Sequence, residues 1–233
     1  MTTPVEPGGA KDPGTRYVHA LSFQWLTPLY DPFVRITTRE MAFKRRLVEA
    51  AQLQPRQQVL DVGCGTGTLA LMLKRSEPGA IVVGVDGDEE VLAIARGKAE
   101  HQGVDIEFQV GLAGHLGYDS GTFDLIASSL VFHHLAPATK RAALADIIRC
   151  LKPGGRLLLA DLGGVPALAA RTVLLPFRLF DGISNTADNF HGRIPMLMRD
   201  AGFDDVTRLD RFLTPVGPIE ILQASRTRLR DHN

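Results

Sequence analysis

Nine residues constrain this chain more than any others: Val59-Leu60-Asp61-Val62-Gly63-Cys64-Gly65-Thr66-Gly67. An apolar, β-branched run ends in a glycine turn, and the helix-prone Thr68-Leu69-Ala70-Leu71-Met72-Leu73-Lys74 follows at once. A strand, a glycine turn and a helix start in that order form a ligand site by construction. Glycine permits the sharp turn and the close approach, and the first helical N–H groups have no partner within the helix. Glycines at alternate positions alone would say little. Two acids add the weight: Asp61, two residues before the first glycine, and Asp86, at the end of the next apolar run.

The rest of the chain arranges itself around that stretch. Strand-like runs over 58–62, 81–86, 105–110, 123–128 and 156–161 alternate with helical patterns over 68–75, 89–101 and 139–151. Such alternation predicts right-handed crossovers and a mostly parallel sheet with helices on both faces. Ligands in these sheets lie at the carboxyl ends of the strands, near the switch in strand order. A helix over 39–51 precedes the first strand. A short helix over 195–201 stops at Gly202, and runs over 203–213 and 219–224 predict a closing antiparallel pair, giving seven strands. Residues 1–14 read as a disordered leader. Residues 15–38 read as a helical lid holding Tyr17 and the lone Trp25, broken at Pro28 and Pro32. The domain proper then spans 39–225, with a long substrate loop over 163–195 and a polar tail over 226–233.

Charge narrows the function classes. Lys+Arg and Asp+Glu both total 26, so no basic excess points to nucleic acid. No apolar run is long enough to span a bilayer, and the N-terminus lacks the basic and apolar regions of a signal peptide. A cytoplasmic protein is expected. Two cysteines, Cys64 and Cys150, cannot frame a disulfide scaffold and read as small packed residues. No His/Asp/Glu grouping has metal-ligand spacing, so no metal is expected.

At this point four motifs carry a resemblance. Asp61-Val62-Gly63-Cys64-Gly65-Thr66-Gly67 is similar to the first motif of class I S-adenosylmethionine-dependent methyltransferases. Val83-Gly84-Val85-Asp86 resembles their second-strand acid. Ser128-Ser129-Leu130-Val131-Phe132-His133-His134-Leu135 resembles the segment after their fourth strand, and Leu151-Lys152-Pro153-Gly154-Gly155-Arg156 the turn before their fifth. The order and spacing most resemble the ubiquinone/menaquinone-biosynthesis type and related small-molecule enzymes. The resemblance implies a Rossmann-like α/β fold and S-adenosylmethionine as cofactor.

It also implies residue roles. Asp61 would accept from the cofactor's amino group, and Gly63, Cys64, Gly65, Thr66 and Gly67 would lie against its methionine and ribose parts. Asp86, next to Gly87, would take both ribose hydroxyls in charge-assisted hydrogen bonds. A dinucleotide fingerprint has a third glycine three residues after the second, where this chain has Thr68. The family often carries an acid after the third strand for the adenine amine. This chain has Gly111-Leu112-Ala113, which leaves Leu112 an apolar contact with the ring. Ser128 and Ser129 complete the cofactor set, with Tyr30 covering the methionine moiety.

Methyl transfer is an in-line displacement that asks for alignment, and for a base only where the acceptor loses a proton. His133 and His134 follow strand four, and Asp161 ends strand five. Resemblance to phosphoethanolamine methyltransferases pairs His134 with Tyr17, although Leu130 replaces that family's acid. His19, Asn185, Asn189 and His191 are candidates to line an acceptor pocket. The expected acceptor is a small, partly apolar molecule: a quinone, phenolic or polyketide-like metabolite. An amine or phospholipid head-group N-methyltransferase, touching a membrane peripherally, is the alternative, and a non-catalytic cofactor-binding partner subunit is the alternative of another class. Monomer and homodimer both stay open.

Overall fold

The described residues of the computed structural model are 40–165, 183–215 and 217–227. Strands β1 (Gln58–Val62), β2 (Ile81–Asp86), β3 (Glu107–Val110), β4 (Phe123–Ser129), β5 (Leu151–Leu162), β6 (Asp204–Thr214) and β7 (Gly217–Ser225) form one sheet in the order β3-β2-β1-β4-β5-β7-β6. The first five pair in parallel; β7 runs antiparallel between β5 and β6. This is the predicted α/β, Rossmann-like architecture, a mostly parallel seven-stranded sheet with its closing antiparallel pair.

Period-two alternation along the inner strands feeds two cores. Val59, Leu125, Leu158 and Ala160 face one side, with Phe43, Leu47 and Ala51 of α1 (Glu40–Ala51), Leu69 and Leu73 of α2 (Thr68–Ser76), and Leu92, Ala95 and Ala99 of α3 (Glu89–His101). Leu60, Val62, Ile126, Leu157 and Leu159 face the other, with Ala143, Leu144 and Ile147 of α4 (Pro137–Cys150) and Leu197 and Met198 of α6 (Ile194–Asp200). Strands covered on both faces read as near-continuous apolar runs, which is why these were legible. Strand order reverses between β1 and β4. Their carboxyl ends, Val62 and Ser128, are directly paired, which places the switch point at the end of the glycine turn's strand.

Two local differences matter. Part of the stretch read as substrate loop forms helix α5 (Ile183–Phe190), whose inward positions include Thr186 and Asn189. Polar side chains on a buried stripe hide helical periodicity from a hydrophobicity pattern. The residues after β4 form a one-turn 3₁₀ helix, Phe132–His134. Leu130, at φ 59, turns the chain into it, a left-handed conformation that a non-glycine residue holds only when its surroundings enforce it. The expectations placed on residues 1–39, including the leader, the lid and Tyr17, His19 and Tyr30, lie outside the described residues.

Candidate functional site

The glycine turn is built by three left-handed residues. Gly63, Gly65 and Gly67 have φ values of 67, 53 and 77. What a Cβ would meet differs at each. At Gly63 it would lie 2.3 Å from Val131 Cγ2, and at Gly67 2.9 Å from the Ala95 Cβ; at Gly65 nothing lies within 4 Å. Gly63 and Gly67 therefore serve close packing, and Gly65 faces open space. Gly67 is also the cap residue of α2, with no side-chain cap hydrogen bond, which leaves the first amides of that helix for a ligand. A pair of substitutions separates these roles. Gly63→Ala should lower stability by about 2–5 kcal/mol, from the left-handed cost and the displaced Val131. Gly65→Ala should cost only about 1–2 kcal/mol but weaken ligand binding. Melting temperatures with and without S-adenosylhomocysteine check both.

Asp61 sits beneath the turn with no exposure. Its two carboxylate oxygens are the only buried side-chain polar atoms without a hydrogen-bond partner among the described residues. Burial pushes this carboxyl up to about 7, against the opposing pull of the Lys44 cation and the Ala70 amide. Lys44 itself is buried on α1 and bound to Glu40 at 2.5 Å. An orphaned buried carboxylate is costly, and a ligand ammonium is the partner its chemistry suits.

Asp86 ends β2 alongside. Its Oδ2 accepts from the Gly65 N–H at 2.8 Å and its Oδ1 from the Asp88 N–H at 3.1 Å. Burial raises its pKa, opposed by these backbone amides. Each oxygen keeps a second lone pair, so the carboxylate shapes the turn and can still accept from a diol. Gly111 donates its N–H to the Asp86 carbonyl at 2.9 Å, which sets Leu112 and Ala113 beside it. Leu112 is 39% exposed, an apolar surface at the carboxyl edge of the sheet. The Cys64 thiol packs inward and burial pushes its pKa up, as expected of a packed residue. The Ser128 hydroxyl donates to the Val62 carbonyl at 2.8 Å and knits β4 to β1. Thr66 Oγ1 accepts from Lys98 at 2.7 Å. Gly87 and Ser129 also lie at this carboxyl edge of the sheet.

Beyond the switch point lies a buried polar chain. His133 Nδ1 and Asp161 Oδ1 are 2.8 Å apart, with both residues buried. The same carboxylate accepts from the Phe132 N–H at 2.7 Å, the Leu162 N–H at 2.7 Å and Asn189 Nδ2 at 3.0 Å. Burial alone would raise the Asp161 pKa; His133, the Leu162 amide and His134 outweigh it and hold it below its ordinary value. An ionised carboxylate only accepts, so Nδ1 carries a proton towards it and Nε2 is the nitrogen left for other partners. Asn189 Oδ1 in turn accepts from Lys140 Nζ at 2.8 Å, and Lys140 also donates to the Asn185 carbonyl at 2.5 Å.

Of the residues singled out from sequence, His133, Asp161 and Asn189 come together here. Asn185 lies at the margin, donating to the His134 carbonyl at 3.1 Å. His134 stacks its ring 3.9 Å from that of His133. His191 is exposed at the end of α5, its Nδ1 2.6 Å from the Ala187 carbonyl oxygen. Sequence reasoning missed Lys140 and Lys44. A signal for Lys140 existed: it shares the stripe of Ala143, Leu144, Ile147 and Cys150. Among the described residues no grouping suits a metal ion, and no helix is long and apolar enough to cross a membrane.

Residues 59–155 match the family model described as a methyltransferase domain. A demethylmenaquinone methyltransferase of Thermus thermophilus is 38% identical over 141 residues, covering 60% of this chain and 63% of the relative. A ubiquinone/menaquinone biosynthesis C-methyltransferase of Desulfotalea psychrophila is 29% identical over 198 residues, 84% of this chain and 72% of its own. The chain spans about three fifths of the length of the curated relatives it matches first. Among solved structures, a phosphoethanolamine N-methyltransferase of Haemonchus contortus in complex with S-adenosyl-L-methionine superposes with a TM-score of 0.62. It is 18% identical, over 80% of this chain and 53% of that one, and shares the fold.

Proposed function

We propose that this chain, whose residues 59–155 match a methyltransferase domain, is a class I S-adenosylmethionine-dependent methyltransferase that methylates a small, partly apolar acceptor, one that gives up a proton as it reacts. A quinol, a phenol or an acidic polyketide-like carbon has that chemistry. The observation that carries this is the His133–Asp161 pair at 2.8 Å, buried just past the switch point. A base so oriented has a use when the acceptor is protonated in its resting state. The relatives named for demethylmenaquinone and for ubiquinone/menaquinone biosynthesis support the quinol-like class. The alternative of a head-group enzyme resting on a membrane leans on residues 165–180, which fall almost wholly outside the described residues.

The cofactor is S-adenosylmethionine, and the residues present fit it. Asp61 offers an unpartnered buried carboxylate for its ammonium, Gly65 an open face, α2 uncapped amides for its carboxylate, and Asp86 free lone pairs for its ribose. When bound, it supplies an electrophilic methyl group and leaves as S-adenosylhomocysteine. The protein's share is alignment and proton removal. His133 Nε2 takes the proton from the acceptor's O–H or C–H as the freed electron pair forms the bond to the methyl carbon. Asp161 stabilises the imidazolium that results, and the bonding pair of the broken C–S bond stays on sulfur.

Calorimetry followed by an acceptor panel tests this. S-adenosylhomocysteine should bind the native protein, and Asp86→Ala should weaken it at least tenfold, since roughly 1.5–3 kcal/mol attaches to a charged hydrogen bond. A hydroquinone and a phenol should then gain one methyl by mass spectrometry. Binding of NADH with none of S-adenosylhomocysteine would sink the cofactor assignment. Methylation of an amine alone would sink the acceptor class.

A further inference from the structure

We propose that Lys140 is a positioning residue for the His133 base, acting through Asn189 and Asp161. The inference rests on His133 being the base of the proposed reaction. A wholly buried lysine is rare and unfavourable unless its charge is matched. Lys140 has no exposure, and it lies on the apolar stripe of α4, where a leucine or methionine would fill the space. Its ammonium donates to two groups of α5: the Asn185 carbonyl at 2.5 Å and Asn189 Oδ1 at 2.8 Å. The other end of the Asn189 amide donates to Asp161 Oδ1 at 3.0 Å and to the Leu162 carbonyl at 3.2 Å.

The result is a directional chain of cation, amide oxygen, amide N–H, carboxylate and imidazole N–H. Each bond polarises the next in a low-dielectric interior. Two consequences follow for the base. The Asn189 amide is locked at both ends, so Asp161 is held where it accepts from Nδ1 and leaves Nε2 bare. The lysine cation also offsets part of the Asp161 charge that faces the imidazole. A base that binds its proton too firmly starts the next cycle already charged. The ionisable groups around Lys140 are Asp188 of α5, whose Oδ2 is 4.0 Å away and which also pairs with Arg193, and Asp161 of β5. His133 lies beyond Asp161. Burial lowers the Lys140 pKa, and Asp188 and Asp161 pull it back up.

The experiment is the pH dependence of kcat/KM for native protein, Lys140→Met and Lys140→Arg, with a phenolic acceptor. In Lys140→Met kcat should fall at least tenfold while KM for the cofactor stays within about twofold. The acidic limb should move to higher pH by roughly half a unit to one unit, the direction expected when a neighbouring cation is removed. Lys140→Arg should return the limb to its native position. A limb that does not move in a folded Lys140→Met protein overturns the proposal. Imidazole nitrogen NMR gives an answer that needs no turnover. The His133 proton held on Nδ1 at pH 8 in the native protein should pass partly to Nε2 in Lys140→Met, and an unchanged tautomer in that folded variant overturns the proposal. His133→Ala separates the two layers: an unchanged rate there removes the base assignment, whereas the tautomer difference between native protein and Lys140→Met reports on the Lys140 chain.

Discussion

Asp61→Asn is expected to make the ligand-free protein more stable at pH 8 and, in the same step, to cripple cofactor binding. The Asp61 carboxyl titrates near 7 in the folded protein against an ordinary value of 3.8. Between those values the folded state holds a proton that the unfolded state has released. The group's contribution to stability therefore declines as pH rises from about 4 to 7 and stays at its least favourable above that. The gap between the folded and unfolded values corresponds to about 4 kcal/mol. Asparagine removes that cost but leaves an amide without partners, worth roughly 1–3 kcal/mol. The net gain should be about 1–3 kcal/mol, or about 2–12 °C in melting temperature for a domain of this size. Against that, the variant cannot offer an anion to the cofactor's ammonium, and S-adenosylhomocysteine should bind it at least tenfold more weakly. In the native protein the same logic makes binding weaker as pH falls below 7, because the proton on Asp61 must leave first. A variant that melts below the native protein at pH 8, or binds the ligand as tightly, would refute this account. A destabilised acid kept at a binding site is the usual exchange of stability for function.

The glycine turn and the two acids that we assign to the cofactor were legible for a physical reason. They act through backbone geometry and short range: glycines in left-handed turns, and acids one strand apart, Asp86 ending β2 and Asp61 one residue before the end of β1. Those constraints leave marks at fixed spacings, and Gly63 to Gly67, Asp61 and Asp86 lie where the spacing put them. The sheet was legible too, because strands buried on both faces carry uninterrupted apolar runs. The buried polar chain beyond it was not. His133 finds Asp161 across 28 positions and Lys140 finds Asn189 across 49, and nothing local announces either contact. Sequence pairing favoured His134 for the base role, but in the fold it is His133 whose Nδ1 meets the carboxylate. Helix α5 was hidden because its buried positions mix Thr186, Asp188 and Asn189 with the single aromatic Phe190. A lysine on an otherwise apolar stripe was the one clue that buried polar partners would be supplied from elsewhere.

His133→Ala should lower kcat by about 10²–10⁴-fold on an acceptor that must lose a proton, the range typical of a lost general base. Cofactor affinity should stay within about threefold, because the carboxylates Asp61 and Asp86 and the glycine turn are untouched. The decisive arm is the acceptor's own acidity. With a phenol acidic enough to be ionised at the assay pH, the base has nothing to remove, and the loss should shrink to under about tenfold. A purely structural histidine would produce the same loss with both acceptors. Asp161→Asn probes the orientation separately. Asparagine would present its N–H₂ or its oxygen to Nδ1, so the Nε2 lone pair would no longer be enforced, and the rate should fall by a similar order. That variant also turns an N–H₂ towards either the Phe132 or the Leu162 amide, which then loses its acceptor, and a fall in stability of about 1–3 kcal/mol should accompany it. Asp161 also links stability to pH in the opposite sense from Asp61: its folded pKa is depressed, so its contribution is present above about 4 and is lost in acid. If the rate loss in His133→Ala is equal for the ionised and the protonated phenol, then alignment alone carries the reaction and the imidazole takes no proton.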